Sequence, residues 1–145
     1  ALERWELALE TRDWSTLSLD EVAEGSVGLL IDAQRSRSDY LKALDWASGR
    51  QSDAYERFRG ELLLGLGLLL LEHRESITHP DPALAVRIGL RAVLGTVDAE
   101  IRATEDRLGR DSLAAEARTL LLGYLTGNAS PAAPATGVDF FDVWG

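Results

Sequence analysis

Apolar residues return every three or four positions along most of this chain, and no run alternates with the strict period of two that a half-buried strand requires. The pattern predicts an all-α fold, a bundle of about six helices. The first, about residues 2–12, sets Leu2, Trp5 and Leu9 on one face. Ser18, with Glu21 three positions on, forms a capping box ahead of Leu19, Val22, Val27, Leu30 and Ile31, so the second helix runs to about residue 35. A short third carries Tyr40, Leu41 and Leu44 and stops near Gly49, a residue suited to the left-handed turn after a helix. Asp53 and Glu56 repeat the box and open the longest segment, to about residue 74, with Tyr55, Phe58, Leu62, Leu66, Leu69 and His73 on one stripe. Such a helix is roughly 30 Å long at 1.5 Å per residue.

The strongest punctuation is His79-Pro80-Asp81-Pro82. Asp81 can accept a hydrogen bond from a free amide of a helix start, and Pro82 in the first helical position gives up no intrahelical bond. The helix it opens runs through Ile101; after a break at Gly109 a last one spans residues 113–125 and ends at Gly127-Asn128. Within the Pro82 helix, Gly89, Ala92, Thr96, Ala99 and Ala103 recur at three- and four-residue steps, a strip along which another helix backbone can approach closely. Val86, Leu90, Val93, Leu94, Val97 and Ile101 form a second, bulky strip. A helix apolar on two faces needs cover on both sides, and in so short a chain a second copy is the expected cover.

Length and charge narrow this picture. The 145 residues suit a single domain, residues 1–128, with a linker rich in Ala, Pro, Ser and Thr and an aromatic tail in residues 129–145. A formal charge of −9 repels phosphate backbones, so these residues alone make a poor nucleic-acid binder. The longest apolar run, residues 62–71 between Glu61 and Glu72, is well short of the ~20 residues that cross a bilayer, and reads as a core helix with no membrane partner. No cysteine is present, which excludes disulfides and thiolate catalysis and fits a reducing, cytoplasmic setting. No methionine is present either, so the chain is expected to start downstream of its translation start.

Catalytic signatures are missing. No serine sits in a nucleophile-elbow glycine pattern, no glycine-rich loop follows a strand, and the carboxylates read as solvated faces and first-turn dipole partners, as with Asp20 and Glu21. The chain therefore reads as a non-enzyme with no cofactor. His73 and His79 with Glu72, Glu75 and Asp81 supply metal-ligand types, yet no His-x-x-x-His or Glu-x-x-His pair occurs on one helix face, so no metal is expected. Gly60, Gly65 and Gly67 interrupt the long helix, each at about 1 kcal/mol against alanine. Either a second helix packs against them, or the missing side chains leave room for a ligand.

The order of elements, with the words His79-Pro80-Asp81-Pro82-Ala83-Leu84-Ala85, Ala92-Val93-Leu94-Gly95-Thr96 and the closing Leu120-Leu121-Leu122-Gly123-Tyr124-Leu125, resembles the C-terminal domain of the tetracycline-repressor (TetR/AcrR) family of bacterial transcription regulators. The likeness spans about residues 19–125. It implies a domain that binds a small effector and dimerises through its last two helices, while a helix-turn-helix of about fifty residues reads DNA as a dimer. No recognition helix or basic stretch precedes Trp5, so the operator binding implied belongs to the parent protein.

The resemblance also implies where each function falls. Trp5, Trp14, Tyr40, Trp46, Tyr55 and Phe58 lie on the first four segments, which in that family surround the ligand; Leu62, Leu66, Leu69 and His73 continue the stripe. Each aromatic also fits a plain core role, and His73 equally fits a cap on its own helix. The four-helix interface with a second copy takes Gly89, Ala92, Val93, Thr96 and Ala99 from one helix and Leu121, Leu122, Tyr124 and Leu125 from the other. The expected effector is an apolar or aromatic small molecule, and the parent protein a repressor. A helical homodimer that acts as an adaptor for a protein partner is the rival reading. Phe140, Phe141 and Trp144, interleaved with Asp139 and Asp142, form either a frayed end or a segment that docks into a groove.

Overall fold

In a computed structural model of the chain, described at residue 10 and over residues 13–43, 50–103 and 108–127, with side chains left aside at 15, 38–43 and 50–54, four α-helices account for nearly all the regular structure, and no strand occurs among the described residues. They are α1 (Leu19–Ala43), α2 (Arg50–Leu71), α3 (Pro82–Arg102) and α4 (Arg110–Thr126). Short 3-10 turns at Trp14–Thr16 and Arg74–Ser76 precede α1 and follow α2. The expected helix at residues 2–12, with Trp5, lies outside the described residues except for Glu10, which is helical; the stretch holding Leu44, Trp46 and Gly49 and residues 128–145 also lie outside them.

Local chemistry sets the helix starts. At the head of α1 the capping box closes in both directions: the Glu21 amide donates to Ser18 Oγ and the Ser18 amide to Glu21 Oε1, each at 3.3 Å. Asp81 caps α3 by accepting from the Leu84 amide at 3.1 Å, with Pro82 in the first turn. The other half of that word is built too, since the Asp81 amide donates to His79 Nδ1 at 3.0 Å and the His79 ring lies 5.6 Å from that of Tyr124.

Four boundaries differ from the sequence reading, the last being the start of α4 at Arg110 where residue 113 was expected. The break expected between residues 35 and 40 is not there: α1 runs on to Ala43, because Arg35-Ser36-Arg37-Ser38-Asp39 is polar but contains neither glycine nor proline to stop a helix. The long helix starts at Arg50, so Asp53 and Glu56 lie inside its first turns and Glu56 pairs with Arg59 at 3.4 Å. It also ends at Leu71, and His73 belongs to the turn that follows, where its side chain makes no capping hydrogen bond.

The core gathers one stripe from each helix. Val22, Val27, Leu30 and Ile31 of α1 meet Leu62, Leu66 and Leu70 of α2, the whole bulky strip of α3, and Leu113, Ala117, Leu121 and Leu125 of α4. The last four fall at i, i+4, i+8 and i+12, one face of an α-helix. Helix α3 touches all three others, its seam with α4 being the most extensive; α1 meets α2 less extensively than it meets α3 or α4. The Thr78 amide donates to Leu125 O at 3.0 Å and its hydroxyl to Gly127 O at 3.0 Å, which fixes the end of α4 beside the entry to α3.

Candidate functional site

The slim seam between α1 and α2 is where polar chemistry enters the bundle. Val22, Ser26, Leu30, Gln34 and Arg37 follow one another at four-, four-, four- and three-residue steps, one stripe of α1, and the first four are buried. On the α2 side, the Tyr55 hydroxyl donates to Gln34 Oε1 at 2.8 Å, the Arg37 guanidinium lies 4.3 Å from the centre of the Tyr55 ring, and the Phe58 ring is tilted at 6.4 Å from it. Burial pushes the Tyr55 phenol above its ordinary value against the opposing pull of Arg37 and Arg59, so at neutral pH it stays a hydrogen-bond donor. Ser26 Oγ, Arg35 Nε and Arg59 Nε are enclosed with no hydrogen-bond partner among the described residues. Around Tyr55 the arrangement offers a phenol, an amide and the spare Arg59 donor beside aromatic faces, which suits orientation of a ligand; it contains no nucleophile paired with a base.

Of the residues the sequence singled out for ligand binding, Tyr55 and Phe58 come together here. Leu62 and Leu66 are buried deeper along α2 and Trp14 is buried in the core. Leu69 and His73 are half-buried farther down the helix, where Leu70 takes the innermost position. Trp5, Trp46 and the side chain of Tyr40 lie outside the described residues. Sequence reasoning passed over Ser26, Gln34 and Arg37. Polar residues at helical steps between Val22 and Leu30 mark a face of α1 in the sequence but not what that face meets.

Helices α2 and α3 enclose a second feature, a groove of about 340 Å³ open along one side. Its walls include Gly60, Leu64, Gly67, Leu68 and Leu71 of α2 and Ala83, Val86, Arg87 and Arg91 of α3. Both readings of the helix glycines meet there. A methyl group on Gly67 would touch Val86 Cγ1 at 3.5 Å, so α3 packs against it, whereas Gly60 faces open space. No group of three or more His, Cys, Asp or Glu side chains among the described residues is placed to hold a metal ion.

The residues expected to meet a second copy divide into two sets. Val93, Leu121 and Leu125 are wholly buried among the chain's own side chains, and Gly89 is covered by α4, whose Leu121 Cδ1 stands 2.9 Å from where a Cβ would sit. Leu122 is half-buried. Ala92, Thr96, Ala99 and Tyr124 are exposed, and Ile88 and Leu120 join them as large apolar side chains in water. The Thr96 hydroxyl donates to Ala92 O at 2.9 Å within α3, so it presents its methyl group without an unmet donor. No described helix is long and apolar enough to cross a membrane.

A family model described as "Tetracyclin repressor-like, C-terminal domain" matches residues 18–125, from the Ser18 cap to the last buried leucine of α4. No curated protein and no solved structure matches the chain.

Proposed function

The chain belongs to the tetracyclin repressor-like C-terminal domain family, and from that premise we propose that it is the effector-sensing and dimerising part of a bacterial, cytoplasmic transcription regulator, a repressor whose DNA-reading heads lie elsewhere in the parent protein. The family match over residues 18–125 carries the reading. The polar cluster at the α1–α2 seam supports a location for the effector, since a buried donor with no partner among the described residues, such as Arg59 Nε near Tyr55, costs about 1–3 kcal/mol that a ligand's polar group would recover. In this reading an apolar or aromatic molecule with one or two hydrogen-bonding groups is held by Tyr55, Phe58 and Gln34.

Dimerisation in this reading uses the exposed face of α3, Ile88, Ala92, Thr96 and Ala99, with Leu120 and Tyr124 of α4. Two such pairs form a four-helix seam. Effector binding then favours one spacing of the two heads, and a coupling of ~1–3 kcal/mol changes operator affinity about 5- to 150-fold. No covalent bond changes in this cycle.

The test is a screen of apolar and aromatic compounds by thermal unfolding. A compound at a hundred times its dissociation constant adds ~2.7 kcal/mol, worth several degrees at this size. The shift should shrink in Gln34→Leu and Tyr55→Phe and persist in Thr119→Ala, whose side chain lies on the outer face of α4. A screen that shifts nothing would favour the protein-partner adaptor. For the interface, Thr96→Arg should leave monomers in light scattering, and an unchanged dimer would remove this face from the reading.

A further inference from the structure

We infer that the groove between α2 and α3 is the seat of the chain's own acidic aromatic segment, residues 138–145. Leu64 and Leu68, 65% and 58% exposed, are the most exposed of the large apolar side chains among the described residues, and both line this groove. A surface of that kind calls for cover. Arg87 and Arg91 stand one helical turn apart on its α3 wall, neither with an ion-pair partner among the described residues, and no carboxylate lines the groove. In a chain of net charge −9 this is a local positive rim on an apolar floor. Val-Asp-Phe-Phe-Asp-Val-Trp-Gly is its complement, with Phe140, Phe141 and Trp144 for the floor and Asp139 and Asp142 for the two guanidinium groups.

The tether fits as well. Thr78 holds the end of α4 by hydrogen bonds to Leu125 O and Gly127 O, and Thr78 stands between Leu71 and Ala83, which line the groove. Residues 128–137 then separate Gly127 from Val138, and ten residues can reach no farther than about 33–36 Å, which exceeds the length of the groove. The α2 wall from Gly60 to Leu71 is roughly 16 Å long by helix rise. A free small molecule would remain half wetted in so open a groove, whereas ligand sites generally bury 70–90% of their guest. A tethered segment needs less enclosure, because its effective concentration reaches the millimolar range.

The absence of native cysteine allows a direct test on the full chain. Leu64→Cys combined with Gly145→Cys should close a disulfide within one chain at least tenfold faster, under mild oxidation, than Thr119→Cys combined with Gly145→Cys. Reversing the rim with Arg87→Glu and Arg91→Glu should erase the advantage. Asp139→Arg with Asp142→Arg, which alters no residue of the four helices, should erase it equally, and the two reversals together should restore it. Closure no faster than the Thr119 control, or fast closure indifferent to both reversals, overturns the inference. Disulfides that link two chains and fade on dilution also overturn it, and assign the groove to a second copy. None of these outcomes depends on an effector at the α1–α2 seam.

Discussion

Two seams of this bundle are made of opposite materials. Where α3 meets α4, contact is dry: Gly89 admits Leu121 and Tyr124 to backbone distance, and Val93, Leu121 and Leu125 close the seam without a polar atom. Where α1 meets α2, the seam is slim and holds an amide, a phenol, a guanidinium stacked on a ring, and the unpartnered Nε of Arg59. Close packing tolerates few arrangements, whereas a seam with unmet donors has free energy to gain from a guest. On the proposed reading, the contrast separates a half that holds shape from a half that can respond.

Packing substitutions in the dry seam give the largest effects. Leu121→Ala should cost about 2–5 kcal/mol, because a fully buried leucine leaves a cavity that helices on both sides cannot fill. Denaturant unfolding reads this directly, and a loss below about 1 kcal/mol would mean that the seam can collapse and is less rigid than it looks. Gly89→Val tests the same place from the other direction. It adds carbon where a Cβ already falls 2.9 Å from Leu121 Cδ1, and should cost about 1–3 kcal/mol. Gly60→Ala, in open space on α2, should instead stabilise by up to about 1 kcal/mol.

The responsive seam gives a smaller effect with a distinctive pH signature. Tyr55→Phe removes the donor to Gln34 Oε1 and should cost about 1 kcal/mol at neutral pH. Burial raises the Tyr55 phenol above 10.0, so the native state keeps its proton to higher pH than the unfolded state does. The phenol's contribution is therefore complete below about pH 10 and lost as pH rises through the raised value. Melting curves at pH 9 and above should fall less steeply for Tyr55→Phe than for the parent chain. Identical slopes would mean that the ring is wetter than the 2.8 Å hydrogen bond indicates.

How much of this was legible beforehand follows the same division. The dry half was readable from local rules, because caps and periodicity act over a few residues: Asp81 with Pro82 placed α3, and the bulky strip from Val86 to Ile101 is buried as a unit. The partners of that strip were not. Gly89 reads the same in sequence whether α4 or a second copy covers it, since helical spacing sets a face but not what it meets. The continuous α1 was missed because a polar run resembles a loop unless glycine or proline interrupts it. The polar cluster at the α1–α2 seam was half legible. Tyr55 and Phe58 stood out as aromatics, while Gln34 and Arg37 acquire meaning only once α2 lies against α1 and a distance of 21 residues closes to a hydrogen bond.

The link between the two halves should give the smallest effect. Arg110, the first residue of α4, donates from Nε and from a terminal nitrogen to the two carboxylate oxygens of Asp32 on α1, both at 3.1 Å, and this pairing raises the guanidinium further above its already high ordinary value. The partners are 43% and 44% exposed, so water and salt screen most of the attraction. Asp32→Asn should cost about 0.2–1 kcal/mol in dilute buffer, and less at 1 M salt. Denaturation midpoints at the two ionic strengths measure both quantities. A loss of more than about 2 kcal/mol that persists in salt would put the pair in a far drier place, with its Coulomb energy holding the halves in fixed register; a small, screened loss leaves apolar packing of α1 on α3 and α4 as the coupling between the responsive seam and the rigid one.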